Sequence, residues 1–171
     1  IKVIQGNNGE LGANRYIISN NENALNVMET FALIRLSDWE NPTVDVVPLF
    51  ESVDDLLNAH NVMEQLYTNP VYANHLVNRE MKQTIMLGFS DGTKDGGYLM
   101  ANWSIYKAKE ELTAISRKYG IKVIFFDGRG GPPSRGGGKT HKFYASLGPK
   151  IENNEIQITV QGQTISSNFG T

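Results

Sequence analysis

Apolar residues follow two alternating rhythms along this chain. Short, nearly continuous apolar runs at residues 15–19, 45–50, 84–90, 122–126 and 156–160 predict five strands. Unbroken runs of this length suit strands covered on both faces. Between them the period lengthens to three and four. Ala24, Val27, Met28, Phe31 and Ala32 predict a helix over 24–36. Ser52, with Asp55 three residues on, predicts an N-terminal cap for a helix carrying Leu56, Leu57, Met63 and Leu66. Asn69-Pro70 opens a further short helix, with proline at the favoured first position. The clearest helix runs to Tyr119, with Ala101, Ile105, Ala108, Leu112 and Ile115 on one stripe; Gly120 ends it. Strands alternating with helices predict an α/β fold with a parallel sheet and helical crossovers.

Composition narrows the class. With 171 residues, 40% hydrophobic and 20% charged, the chain is expected to form one domain with its own core. A net charge of −2 argues against nucleic acid as the main partner. No cysteine is present, which excludes disulfides and thiolate metal sites and fits a reducing, cytoplasmic setting. No apolar run of membrane length and no signal peptide is visible, so no membrane partner is expected. Both ends read as cut from a longer chain.

The segment 122–141, KVIFFDGRGGPPSRGGGKTH, changes the picture most. A buried strand stops at Asp127 and opens into a glycine-rich loop holding Arg129 and Arg135. Glycine lets backbone N–H groups turn toward a ligand, and arginine offers a fork that matches phosphate or carboxylate. The loop is neither a Walker A motif nor a dinucleotide fingerprint. In both alignments a required glycine falls on Pro133. An anion site is the better reading than a bare surface turn, because crowded cations repel unless they share an anion.

Other strand ends carry chemistry too. Glu51 ends the second strand, Asp91 and Lys94 follow the third, Asp127 and Arg129 the fourth, and Gln161 the fifth. Ligands bind at the carboxyl edge of parallel sheets. Taken singly, each residue has a plain reading as a cap or a solvated strand end. Together they predict an acidic and basic cleft.

Four blocks, in order, resemble phosphoenolpyruvate carboxylase. FSDGTKDGG at 89–97 is similar to that family's F/Y-S-D-x-x-K-D-x-G segment. VVPLFE at 46–51, DGRGGPPSRGGGKTH at 127–141 and ITVQGQTISSNFG at 158–170 match its other core blocks. The resemblance covers nearly the whole chain. It implies part of a (β/α)8 barrel, a fragment of the catalytic barrel of a much longer enzyme. The implied reaction is carboxylation of phosphoenolpyruvate by bicarbonate to oxaloacetate and phosphate, using Mg2+ or Mn2+. It also implies a homotetramer under allosteric control that supplies the tricarboxylic acid cycle. The isolated segment is expected to be inactive.

Residue by residue, the resemblance implies metal binding by Glu51 and Asp91, bicarbonate contact by Lys94 and phosphate contact by Arg129. Arg135 would be the catalytic arginine of the loop, and Gly130 and Gly131 would line the substrate. Gln161 would face the carbon dioxide pocket. Asp127 stands where many members have a histidine of the carboxyphosphate stage. It is expected to share that catalytic position while pairing with Arg129 or Lys94. Pro132-Pro133 departs from the family's usual loop and stiffens it.

The remaining candidates take plainer readings. Asp95 is expected to cap a helix. His60 and His75 are expected at the surface or half-buried, His141 to cap or orient the helix after the loop, and Trp39 and Trp103 to pack. The alternative function is a non-catalytic phosphate- or nucleotide-binding module, needing no divalent ion at Glu51 and Asp91. A third is an assembly domain whose site residues are idle.

Overall fold

The computed structural model describes residues 1–128 and 139–159. Five strands alternate with helices: β1 (Arg15–Ile18), β2 (Asp45–Phe50), β3 (Lys82–Leu87), β4 (Lys122–Asp127) and β5 (Ile156–Ile158). The helices are α1 (Lys2–Asn8), α2 (Ala24–Leu36), α3 (Val53–Thr68), α4 (Pro70–Asn78), α5 (Ser90–Lys118) and α6 (Thr140–Ala145). A 3-10 turn, Glu10–Gly12, follows α1.

Each strand pairs, in parallel, with the next one in sequence, giving the order β1-β2-β3-β4-β5. A doubly wound sheet reverses its order at a switch point; a (β/α)8 barrel does not. This uninterrupted order is that of part of a barrel, and the described strands do not close on themselves.

Burial follows the pleat. Val46, Phe50, Ile85, Leu87, Val123 and Phe125 join one core cluster with the helices. The alternate residues Val47, Leu49, Thr84 and Ile124 are also buried, although they lie outside that cluster. Two apolar faces explain why β2, β3 and β4 read as continuous runs rather than alternating ones, whereas β1 and β5 are more exposed.

Local signals set the helix starts. The Ser52 hydroxyl accepts the Asp55 N–H at 3.1 Å, and the Asp55 carboxylate accepts the Ser52 N–H at 3.0 Å, forming the expected capping box. Asn69 caps α4 with Pro70 at its first position. At the amino edge of the sheet, Arg79 joins Asp45 at 2.7 Å and Glu10 at 2.8 Å. That edge is tied for stability, whereas the opposite edge carries the candidate chemistry.

Several expectations need correction. The third strand runs from Lys82 to Leu87, not 84–90, because its pairing with β4 begins at Lys82↔Lys122 and α5 already starts at Ser90. The first strand stops at Ile18. Residues 156–158 form the last strand; Val160 lies outside the described residues. Leu57 and Ala32, assigned to core faces, point outward. Trp103 is 59% exposed and stacks on Tyr106 rather than filling a core. Helix α1 has no buried residue, so no apolar period announced it.

His75 is the largest surprise in the core. It is buried, with ring centroids 4.6 Å from Phe31 and 5.8 Å from Tyr72. Burial, reinforced by the Arg79 charge, lowers its pKa to about 4. The unfolded chain therefore takes up a proton near pH 6.5 that the folded chain refuses until about pH 4. Stability is full above pH 6.5, falls as pH drops through that window, and levels off below pH 4. The loss is at most about 3 kcal/mol. Urea unfolding at pH 7 and pH 4.5 measures it, and His75→Phe is expected to shrink the difference between the two. An undiminished pH response in that variant would contradict this account.

Candidate functional site

The carboxyl edge is held in step by backbone bonds beyond the strands. Gly88 N–H donates to Phe50 C=O at 2.8 Å, Gly128 N–H to Leu87 C=O at 3.0 Å, and Thr159 N–H to Asp127 C=O at 3.2 Å. These bonds draw the ends of β2, β3, β4 and β5 into one rim. The rim is tight. A Cβ on Gly88 would lie 3.1 Å from Glu51 Cα, and one on Gly128 would lie 3.2 Å from Leu87 O. Glycine at both positions lets adjacent strand ends close together without displacing Glu51.

Glu51 is half-buried on this rim. Its Oε2 accepts the Asn20 N–H at 3.2 Å, and the capping box of α3 begins at the next residue. Asp91 lies in the first turn of α5, just past the end of β3. Its Oδ1 meets Lys94 Nζ at 2.7 Å, and the two side chains are 50% and 76% exposed. The helix cap is Phe89, with no side-chain cap bond, so Asp91 is not serving as a cap. Gly97, at φ 78°, breaks the helical geometry six residues later. Only a residue without Cβ takes that conformation cheaply. The break sets the short segment carrying Asp91 and Lys94 apart from the long packed part of α5.

The chain matches the family model described as phosphoenolpyruvate carboxylase over residues 1–171. It is 37% identical over 172 residues to a protein of Nitrosomonas eutropha named phosphoenolpyruvate carboxylase, covering 97% of this chain and 18% of that protein. The protein of the same name from Nitrosomonas europaea is 36% identical with the same coverage. The chain belongs to the phosphoenolpyruvate carboxylase family. It spans 18% of the length of these curated relatives.

The rim suits the divalent ion that the family uses. Glu51 and Asp91 offer hard oxygen donors on neighbouring strand ends. Mg2+ and Mn2+ sites need only one or two carboxylates when water and substrate oxygens fill the rest. No cluster of three or more acidic, histidine or cysteine ligands occurs among the described residues.

Asp127 departs from its expected setting. It is buried as foreseen, but its Oδ2 meets Lys109 Nζ at 2.7 Å and accepts the Tyr144 O–H at 2.5 Å. Lys94, one of its two expected partners, pairs with Asp91 instead. Sequence reasoning missed both Lys109 and Tyr144. A signal for Lys109 was present: it lies one turn past Ile105, next to the apolar stripe of α5, where a solvated lysine has no place.

His141 is exposed and lies inside α6, whose N-cap position is taken by Lys139 with no side-chain cap bond, so His141 is not the cap of that helix. His60 is half-buried, as expected, and lies 3.2 Å from Glu111. Arg129, Gly130, Gly131, Arg135 and Gln161 lie outside the described residues, as does the Asp95 side chain. Among the described residues, no helix is long and apolar enough to cross a membrane.

Proposed function

We propose that the whole protein carrying this segment carboxylates phosphoenolpyruvate with bicarbonate, releasing oxaloacetate and inorganic phosphate. Membership of the family along the full chain, with Glu51, Asp91 and Lys94 all on the carboxyl rim, is the observation that carries this reading. In the proposed sequence, bicarbonate oxygen takes the phosphoryl group, leaving carboxyphosphate and the enolate of pyruvate. Carboxyphosphate splits to carbon dioxide and phosphate, and the enolate carbon attacks carbon dioxide.

Every species on this path is anionic, so the site must supply positive charge and limit water. Glu51 and Asp91 would hold Mg2+ or Mn2+, which supplies Lewis-acid charge to substrate oxygens when bound. Lys94 would steer bicarbonate. Arg129, Arg135 and the N–H groups of Gly130 and Gly131 would hold the phosphate and its charge in transit. Gln161 would border the carbon dioxide pocket. The same reading makes the protein a cytoplasmic homotetramer under allosteric control, replenishing dicarboxylic acids for the tricarboxylic acid cycle.

The test is oxaloacetate formation by the whole protein, read through a coupled reductase, with phosphoenolpyruvate, bicarbonate and Mn2+ supplied and omitted in turn. Turnover needing all three is expected. Nucleotide binding without carboxylation would favour a phosphate-binding module and end the carboxylase reading.

A further inference from the structure

Lys109, Asp127 and Tyr144 are each at most 5% exposed, yet one is cationic, one anionic and one hydroxylic. They come from three elements: α5, the last residue of β4, and α6. A single carboxylate oxygen, Asp127 Oδ2, takes both donors. Lys109 Nζ also lies 5.4 Å from the ring centroids of Phe125 and Tyr144, so its charge sits between two aromatic rings. Asn153 adds a bond to the Tyr144 carbonyl at 3.0 Å, which holds the end of α6 in place.

A buried ion pair adds little net stability compared with apolar residues of the same volume, because both charges lose water. Its use calls for a positional reason, and the topology supplies one. The chain leaves the sheet at Asp127 and Gly128, and α6 begins at Thr140. Residues 129–138, with Arg129 and Arg135, join these two points. The Asp127–Tyr144 bond ties the exit to the re-entry, and Lys109 fixes both to the long helix beneath.

We infer that Lys109, Asp127 and Tyr144 form a charge clamp that locks the two ends of the glycine-rich segment, making Asp127 a positioning residue and not a proton-transferring one. The Asp127 oxygen that accepts from both Lys109 and Tyr144 is engaged in joining three elements. The family's histidine and this aspartate then share a position without sharing a task. The consequence for turnover rests on the carboxylase reading; the clamp itself does not.

The experiment compares Asp127→Asn, Lys109→Met, the double variant and Tyr144→Phe in the whole protein. Hydrogen exchange in peptides covering 122–128 and 140–145 needs no activity. Each single charge variant is expected to speed it about tenfold or more, because an unpaired charge is left buried. The double variant, which removes both charges, is expected to recover most of that loss. Tyr144→Phe gives a smaller loss in the same direction. Activity should track exchange: kcat/KM falls about tenfold or more in each charge variant and is largely restored in the double, both limbs of the pH–rate profile surviving throughout.

A double variant no better than the singles overturns the clamp. So does Asp127→Asn if it deletes a limb of the pH profile while exchange stays unchanged, because Asp127 would then be transferring a proton. A parent protein without carboxylation ends the carboxylase reading, and the exchange measurements still decide the clamp.

Discussion

Asp91→Asn in the whole protein is expected to remove metal-dependent carboxylation by about two to four orders of magnitude while leaving the fold intact. Charge stabilisation supplied through a bound divalent ion is worth several kcal/mol, and each 1.4 kcal/mol is about tenfold in rate. The amide keeps the shape of the carboxylate and loses the charge that a hard cation requires. The fold should not notice. Asp91 is half exposed and pairs with the exposed Lys94, and such a surface pair is worth about 0–1 kcal/mol. Glu51→Gln should behave similarly in turnover. Its structural cost is also small, because the amide oxygen can still accept the Asn20 N–H. The measurement is oxaloacetate formation against Mn2+ concentration, paired with a thermal melt. An unchanged Mn2+ response in Asp91→Asn would remove this residue from the metal site, and an unchanged response in both variants would remove the metal site from this rim.

What could be read in advance was what is local. The capping box of Ser52 and Asp55 closes within four residues, and the Asn69-Pro70 start within three, so the sequence contains all the groups involved. The short apolar runs located the five described strands: β2, β3 and β4 are largely buried on both faces, and the shortness of each run between turn residues decides for strand over helix. The carboxyl rim followed from strand ends alone once the strands were parallel. Misreadings cluster where the deciding partner is distant in sequence. His75 looks like a surface helix histidine until Phe31, forty-four residues earlier, is placed against it. Asp127 looks like a partner for the cations beside it in its own segment or in the third-strand loop. Its described partners instead arrive from the middle of α5 and from the last turn of α6. Lys109 was hidden for a related reason: its stripe was read for apolar residues, and a charged residue there gains meaning only from a buried counter-charge eighteen residues away.

Arg129→Ala is expected to reduce carboxylation by a factor of about 30 to several thousand, mostly in kcat. The argument begins from place. Arg129 is two residues past Asp127, whose carboxylate is fixed to α5 and α6, so the chain enters the glycine-rich segment from a rigid point. An arginine there can present its planar fork to phosphate oxygens with two parallel bonds, which a lysine cannot reproduce. During the proposed reaction the phosphoryl group changes partners and its charge redistributes, so a fixed cation contributes more in the transition state than in the ground state. Truncating one partner of a charge-assisted contact that is shielded from water costs about 2–5 kcal/mol, which sets the expected factor. Arg129→Lys should recover part of the loss by restoring charge without the fork. Arg35→Ala, on the exposed side of α2, should stay within about twofold of the parent, since surface changes are worth little. Near-normal turnover in Arg129→Ala would separate this arginine from the substrate phosphate, and a rise in KM with kcat unchanged would assign it to ground-state binding alone.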